Sequence, residues 1–182
     1  MDADSSTPFS EIEKFFPYFD KGYQVIMGSR YTAKPLPASN KTITAFWQAL
    51  KQVLELIFTG KTSANKTKKQ QGWFRQFMSR GGNLAFVTLL GQAFADTRCG
   101  FKAYTQEAAD ILFKLQRLPG FGFDTEILVI AKKYNLRIIE IPVDWYDIEQ
   151  ETNINPLKDS LKSFKEIFII KKYLWTGKYD KK

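Results

Sequence analysis

Seven consecutive residues hold most of the reactive chemistry of this chain: Asp96, Thr97, Arg98, Cys99, Gly100, Phe101 and Lys102. An acid, two bases, a thiol and a turn-forming glycine lie between apolar stretches. A short charged insert between apolar elements, bent by a glycine, is where an α/β protein tends to place a site. A polar loop with a local ion pair would use the same residue types. Other candidates must act with it. Asp2 and Asp4 are two carboxylates one residue apart, upstream of an expected helix start. In an open α/β sheet, acids between a strand's carboxyl end and a helix lie on the ligand-binding edge; a frayed acidic terminus would look the same.

The sequence narrows the chemistry further. Histidine is absent, which excludes a Ser-His-Asp triad, a Cys-His pair and a histidine-ligated zinc. The single cysteine, Cys99, allows neither an internal disulfide nor a four-cysteine metal site. Any metal would have carboxylate ligands, which favours magnesium or manganese. The chain has 182 residues, 44% of them hydrophobic, enough for one domain with a real core. Lysine and arginine number 27 against 19 acids, a net charge of +8 that points to an anionic partner. No apolar run reaches the roughly 20 residues of a membrane span. The amino-terminal stretch is acidic and unlike a signal peptide, and no internal repeat is visible.

The positioning elements follow from local pattern. Thr7 and Pro8 read as cap and first residue of a helix that carries Glu11 and Glu13 and ends near Pro17. Residues 23–27 read as a strand, closed by Gly28, Ser29, Arg30 and Tyr31. Residues 32–43 read as a loop and 44–58 as a helix, with Phe46, Leu50, Val53, Leu54 and Ile57 at helical spacing. After a polar, lysine-bearing loop over 60–71, helical spacing resumes over 73–90, weakened at Gly81 and Gly82. Arg75 and Ser79 share a face there. No acid occurs between Glu55 and Asp96. A solvated face explains the lysines of this span; Arg75 and Arg80, set among aromatics, suit anion contacts, because a guanidinium forks onto phosphate oxygens.

Beyond the central loop, Thr105 caps a helix that runs to about residue 115. Residues 119–123 form an aromatic, glycine-rich turn, 124–133 a helix and 136–143 a strand whose Pro142 marks an edge or an end. Residues 145–155 form a polar connection. Pro156 opens a long helix to about residue 174, with an apolar stripe of Leu157, Leu161, Phe164 and Phe168. Lys158, Lys162, Lys165 and Lys172 form a basic stripe. Such a helix can lie on a membrane interface or pack on its own domain.

Taken in order, Asp2-Ala3-Asp4, Gly28-Ser29-Arg30-Tyr31, Arg75 with Ser79, the loop from Asp96 to Lys102, and Phe123-Asp124-Thr125-Glu126 resemble the second part of a family 2 glycosyltransferase. The type is the dolichyl-phosphate (polyprenyl-phosphate) hexose synthases, glucosyltransferases before mannose synthases. The loop is the specific element; the Asp-x-Asp pair alone is weak. The resemblance implies an α/β fold of the Rossmann-like GT-A class, a nucleotide-diphospho-sugar donor, a polyprenyl-phosphate acceptor and a divalent cation, Mg2+ or Mn2+. By this match Asp2 and Asp4 hold the metal. Arg30, Arg75 and Ser79 face phosphates, with Arg98 and Lys102 as further compensating charges, and Asp96 has a catalytic or orienting role. Asp124, Glu126 and Lys158 are secondary site candidates. A phosphate monoester is already largely ionised near neutral pH, its second pKa being about 6, so Asp96 orients or acts as a conditional base. Either role makes Asp96→Asn costly for turnover with the fold intact.

Departures from the pattern also matter. Ser6 stands where mannose-type members carry glutamine, and the segment 151–156 lacks a lysine that the family often places after its last strand. Residues 33–71 form a variable insert longer than the pattern requires. The amino-terminal nucleotide-binding strands, with their Pro-x-Tyr-Asn-Glu-like and Asp-Asp-Gly-Ser-like motifs, have no counterpart. The resemblance therefore implies a single but amino-terminally incomplete catalytic domain over 1–182, with Met1 internal to a longer product and a basic amphipathic helix over 157–175. The expected activity is hexose transfer, glucose ahead of mannose, by a peripheral protein on the cytoplasmic face of a membrane. The alternative is a non-catalytic phosphate- or membrane-binding module derived from such an enzyme. Nucleic acid is not an expected partner, since basic-aromatic recognition signatures are missing. The sequence sets neither the oligomeric state nor the nucleotide.

Overall fold

The computed structural model describes residues 6–30, 32, 34–37, 47, 94–120, 122–146 and 156–180. Among them a four-stranded sheet is flanked by helices. In chain order a 3-10 helix Phe9–Lys14 leads into α1 (Phe16–Asp20), β1 (Val25–Ser29), β2 (Leu36–Pro37), β3 (Lys102–Tyr104), α2 (Gln106–Leu115), α3 (Gly122–Lys133), β4 (Ile138–Pro142) and α4 (Pro156–Trp175). The strand order is β2-β4-β1-β3. β1 and β4 are parallel, Val25 opposite Ile138 and Met27 opposite Glu140. β3 runs antiparallel to β1, and β2 antiparallel to β4.

Strand alternation divides the core. Val25, Met27 and Ile138 point to one face and pack with Leu112, Leu128 and Ile170 from the three longer helices. Ile26, Ile139 and Ile141 point to the other and pack with Phe15, Cys99 and Phe101. Both central strands are buried on both faces, which explains their near-continuous apolar runs.

Several expectations hold. The Thr105 hydroxyl accepts from the Ala108 amide at 3.3 Å and starts α2. α3 ends at Lys133 as expected and begins two residues earlier, at Gly122; the chain then turns through Asn135 at φ 54, with the Leu136 amide bonded back to the Ala131 carbonyl at 2.9 Å. Pro142 ends its strand, and α4 spans the expected length.

Others need correction. Thr7 gives no side-chain cap, and the segment after Pro8 is a 3-10 helix. Pro17 begins α1 rather than ending a helix, because its missing N–H is harmless in a first turn. β1 continues through Gly28 and Ser29, beyond the expected stop at residue 27. A Cβ on Gly28 would lie 2.9 Å from Val143 Cγ2 and 3.3 Å from Cys99 Sγ, so this glycine serves close packing inside a strand. Residues 102–104 are a strand instead of a lead-in, and residues 36–37 add a short edge strand where a loop was expected. The apolar stripe of α4 does not run inward at Phe168, which is 58% exposed; Ile167 and Ile170 make the buried contacts. The helices read over 44–58 and 73–90 lie outside the described residues, apart from Trp47.

Glu126 ties the helical side of the fold together. It is fully buried on α3. One oxygen accepts from the Arg117 and Leu118 amides at 3.0 and 2.7 Å, and the other from the Tyr179 hydroxyl at 2.7 Å. Tyr134 in turn donates to the Tyr179 carbonyl at 2.7 Å. Glu126 is thus bound to the backbone before α3 and the chain after α4, and not to the sheet edge where the other candidates meet. Tyr179→Phe leaves one carboxylate oxygen without its donor inside the protein. It should cost about 1–3 kcal/mol in urea unfolding, and a loss under 0.5 kcal/mol would show that the bond contributes little.

Candidate functional site

The carboxyl ends of the parallel strands β1 and β4 form one edge of the sheet, the place where open α/β sheets bind ligands. Arg30 leaves β1 there, and residues 143–146 leave β4. The Gly28 amide donates to the Phe101 carbonyl at 2.8 Å, which draws the loop over 96–101 to the same edge.

At its centre is an ion pair. Asp96 Oδ2 accepts from Arg30 Nε at 2.7 Å and from the Arg30 backbone amide at 3.0 Å, and Oδ1 accepts from Arg30 Nη2 at 2.8 Å. This is a fork-on-fork contact with a third bond that fixes the backbone as well. Asp96 is 3% exposed. Burial alone would raise its pKa; the charge and hydrogen bonds of Arg30, helped by Lys102, outweigh burial and hold the carboxyl below its ordinary value. Asp96 is therefore ionised at neutral pH and a weak proton acceptor. The guanidinium also lies 5.4 Å from the centre of the Trp145 ring, in cation–π range.

Lys102 is turned inward. Its ammonium donates to Asp124 Oδ1 at 2.5 Å and to the Cys99 carbonyl at 2.6 Å, and its side chain is 2% exposed. It joins β3 to the start of α3 and neutralises Asp124, an arrangement unlike the open phosphate contact expected of it. Arg98 is exposed at the tip of the loop and makes no hydrogen bond or ion pair with a described residue. Cys99 is buried against Gly28, and burial, with the nearby Asp96 charge, raises its thiol pKa to about 12. That thiol packs in the core beneath the loop.

Glu140 escaped the sequence reading. It is fully buried in β4. Both its oxygens lie 2.9 Å from the Ala95 amide, and Oε1 is 3.0 Å from the Asp96 amide. A single acid inside an isoleucine-rich strand was the available signal, since a buried charge needs partners. Burial raises its pKa to about 7; the Asp96 charge adds to the rise, and the two amides and Lys102 oppose it.

The segment after Asp4 reaches the same edge. Ser6 and Thr7 are buried, and the Ser6 carbonyl accepts from the Tyr146 amide at 2.8 Å, one residue from Trp145. Glu11 accepts from the Asp144 amide at 2.9 Å and from Lys14 at 2.6 Å, a second tie to the chain after β4. Asp2, Asp4, Arg75 and Ser79 lie outside the described residues, as does the side chain of Lys158. Among the described residues no group of three or more His, Cys, Asp or Glu could hold a metal ion.

A sheet edge with a fixed, ionised Asp–Arg pair and an exposed arginine beside it is the candidate site of this α/β protein. The chain is similar to dolichyl-phosphate beta-glucosyltransferases. It is 33% identical over 102 residues to one from Trichomonas vaginalis, covering 55% of this chain and 31% of that protein. With the Dictyostelium discoideum protein it shares 32% identity over 102 residues, 56% of this chain and 31% of the relative. With the human protein the figures are 32% over 108 residues, 59% and 33%. The chain thus spans about a third of the length of these curated relatives. No protein-family model and no solved structure matches it.

Proposed function

We propose that this chain carries the acceptor side of a GT-A hexosyltransferase that moves glucose from a nucleotide-diphospho-sugar to dolichyl phosphate at a membrane face. The observation behind this reading is the identity of 32–33% over about 100 residues to proteins named for that reaction. The parallel strand edge of the sheet supplies a fitting place for two phosphate-bearing substrates.

In this reading Arg30 presents its guanidinium to a phosphate, held in register by Asp96 and shielded on one face by Trp145. Arg98, exposed and without a direct ion pair among the described residues though within the field of Glu166, offers a second cation, and Arg75 and Ser79 are further phosphate contacts. Asp96 orients. Its low pKa and its commitment to Arg30 suit it poorly to removing a proton, and an ionised acceptor phosphate needs no base. Lys102 and Asp124 brace the loop from inside the fold.

A divalent cation fits the donor set. With no histidine and its one cysteine buried, the chain offers carboxylates, and the segment following Asp4 is anchored at Ser6 beside the candidate edge. Asp2 and Asp4 would hold Mg2+ or Mn2+, which supplies positive charge to the leaving diphosphate. Among the described residues no helix is long and apolar enough to cross a membrane. We place the protein peripherally on the cytoplasmic face, with α4 toward the lipid.

The test is transfer of radiolabelled hexose from nucleotide sugars to dolichyl phosphate in detergent, with and without Mn2+. Metal-dependent glucolipid formation that falls at least tenfold in Arg30→Ala supports the reading. Glucolipid formation indifferent to Arg30 would overturn the site. Tight binding of anionic vesicles with no transfer from any donor, even by the longer product that carries the nucleotide-binding strands, would overturn the activity.

A further inference from the structure

We propose that Glu140 is the positioning residue of the candidate site: from the buried middle of the sheet it holds the Ala95 and Asp96 amides, and through Asp96 it sets where the Arg30 guanidinium stands. The inference deepens the reading above and rests on Arg30 as the phosphate-facing group.

The contacts form a closed circuit. Glu140 of β4 bonds the backbone at the start of the loop, at 2.9 Å to Ala95 and 3.0 Å to Asp96. Asp96 binds the backbone and side chain of Arg30 at the end of β1. Arg30 lies over Trp145, five residues beyond Glu140 on the chain leaving β4. β1 and β4 are themselves hydrogen-bonded neighbours. The far end of the loop is tied to β1 by the Gly28 amide on the Phe101 carbonyl; the Glu140 bonds tie its acid-bearing start to β4. Without them the Asp96–Arg30 pair could persist, but the start of the loop would lose its anchor on β4.

A carboxylate is a costly choice for this task. Fully buried carboxylates are destabilised in their charged form, and here the neighbouring Asp96 charge adds to that cost. Glu140's opposite numbers in the sheet, Met27 on β1 and Leu36 on β2, are apolar and give it no charge partner. The other charged group acting on it is Lys102, whose ammonium is bonded to Asp124. What the carboxylate gains is two equivalent oxygens facing the Ala95 amide and a shared bond to the next amide, a pattern an amide side chain cannot reproduce. Glutamine would set its NH2 against one of the two donors.

The test uses the 182-residue chain labelled with 15N. In the native protein the Arg30 Nε–H should exchange slowly with water. The Ala95 and Asp96 amide shifts should step together near neutral pH as Glu140 titrates, and the Arg30 Nε–H and Trp145 indole signals should follow them. In Glu140→Ala the Arg30 Nε–H should exchange at least about tenfold faster, as for one lost hydrogen bond to a charged group. Glu140→Gln keeps one acceptor oxygen and should recover most of that protection while losing the pH step. Should the alanine variant fail to fold, the glutamine variant still decides through the pH step at Arg30 and Trp145. Arg30 Nε–H protection that is unchanged in Glu140→Ala, or a native pH step at Arg30 and Trp145 that survives in Glu140→Gln, would overturn the proposal. No step needs turnover, so absence of glucosyl transfer by the longer product with the coupling intact would count against that activity and leave the role of Glu140 standing.

Discussion

Asp96→Asn should unfold at a markedly lower urea concentration than the native protein at pH 7, by about 3 kcal/mol, as well as losing transfer activity. An asparagine returns one oxygen and one NH2 to a site built for two acceptors, so the Arg30 guanidinium loses half its fork and faces a donor. Breaking a buried pair by neutralising one partner leaves an uncompensated charge and typically costs 3–5 kcal/mol. Arg30 is 16% exposed at its side chain, and this moderates the loss to the lower end. The pH dependence has a definite sign. A carboxyl whose folded pKa lies below its unfolded value of 3.8 adds stability that is present above about pH 4 and vanishes as pH falls through the folded pKa. The gap between native and variant should therefore be full at pH 7 and narrow steadily below pH 4. A gap under 1 kcal/mol at pH 7 would mean that the pair contributes little to the fold. The expectation from sequence was an Asn variant with its fold intact; the geometry makes Asp96 a residue on which site and fold both depend.

Loss of vesicle binding in α4 variants is the second large expected effect. The outward side of α4 carries Phe168 and Trp175 seven residues apart, with Lys165 and Lys172 seven apart beside them. All four are exposed, Trp175 at 92%, while Ile167 and Ile170 on the opposite side are buried in the core. A helix already anchored by one face, with aromatics and lysines on the other, suits the boundary of an anionic bilayer. A lysine near such a surface contributes about 1 kcal/mol, so Lys165→Gln with Lys172→Gln should weaken binding to phosphatidylserine-containing vesicles by about 30-fold. Salt should weaken the native protein in the same direction. Phe168→Ala with Trp175→Ala should reduce binding to a similar degree but with the salt dependence retained. Vesicle sedimentation would measure both. Unchanged binding in both double variants would remove α4 as the attachment face.

Much of this was legible in residue order. Thr105 announced its helix because a threonine hydroxyl before a helical run has one favoured use. The isoleucines of β4 announced a buried strand, and Pro142 its end. The loop from 96 to 102 stood out because charged and turn-forming residues rarely interrupt apolar segments without reason. These are local signals, carried by neighbours in the chain.

What only the tertiary structure decided was which charge meets which. Arg30 and Asp96 are 66 positions apart, and nothing in their local sequence distinguishes a guanidinium open to phosphate from one clamped by a carboxylate. Lys102 and Arg98 share a loop of seven residues, yet one is buried on Asp124 and the other exposed. The direction in which β3 leaves the loop, set by its pairing with β1, separates them. Glu140 was the costliest residue to overlook. Along the chain it is one acid in a run of isoleucines; in the fold it links β4 to the start of the loop. Sequence determined the elements and the inventory of charged groups, because backbone preference and side-chain chemistry act over a few residues. The fold decided their pairing, because burial makes every charge find a partner, and the partner is chosen by strand order and not by distance along the chain.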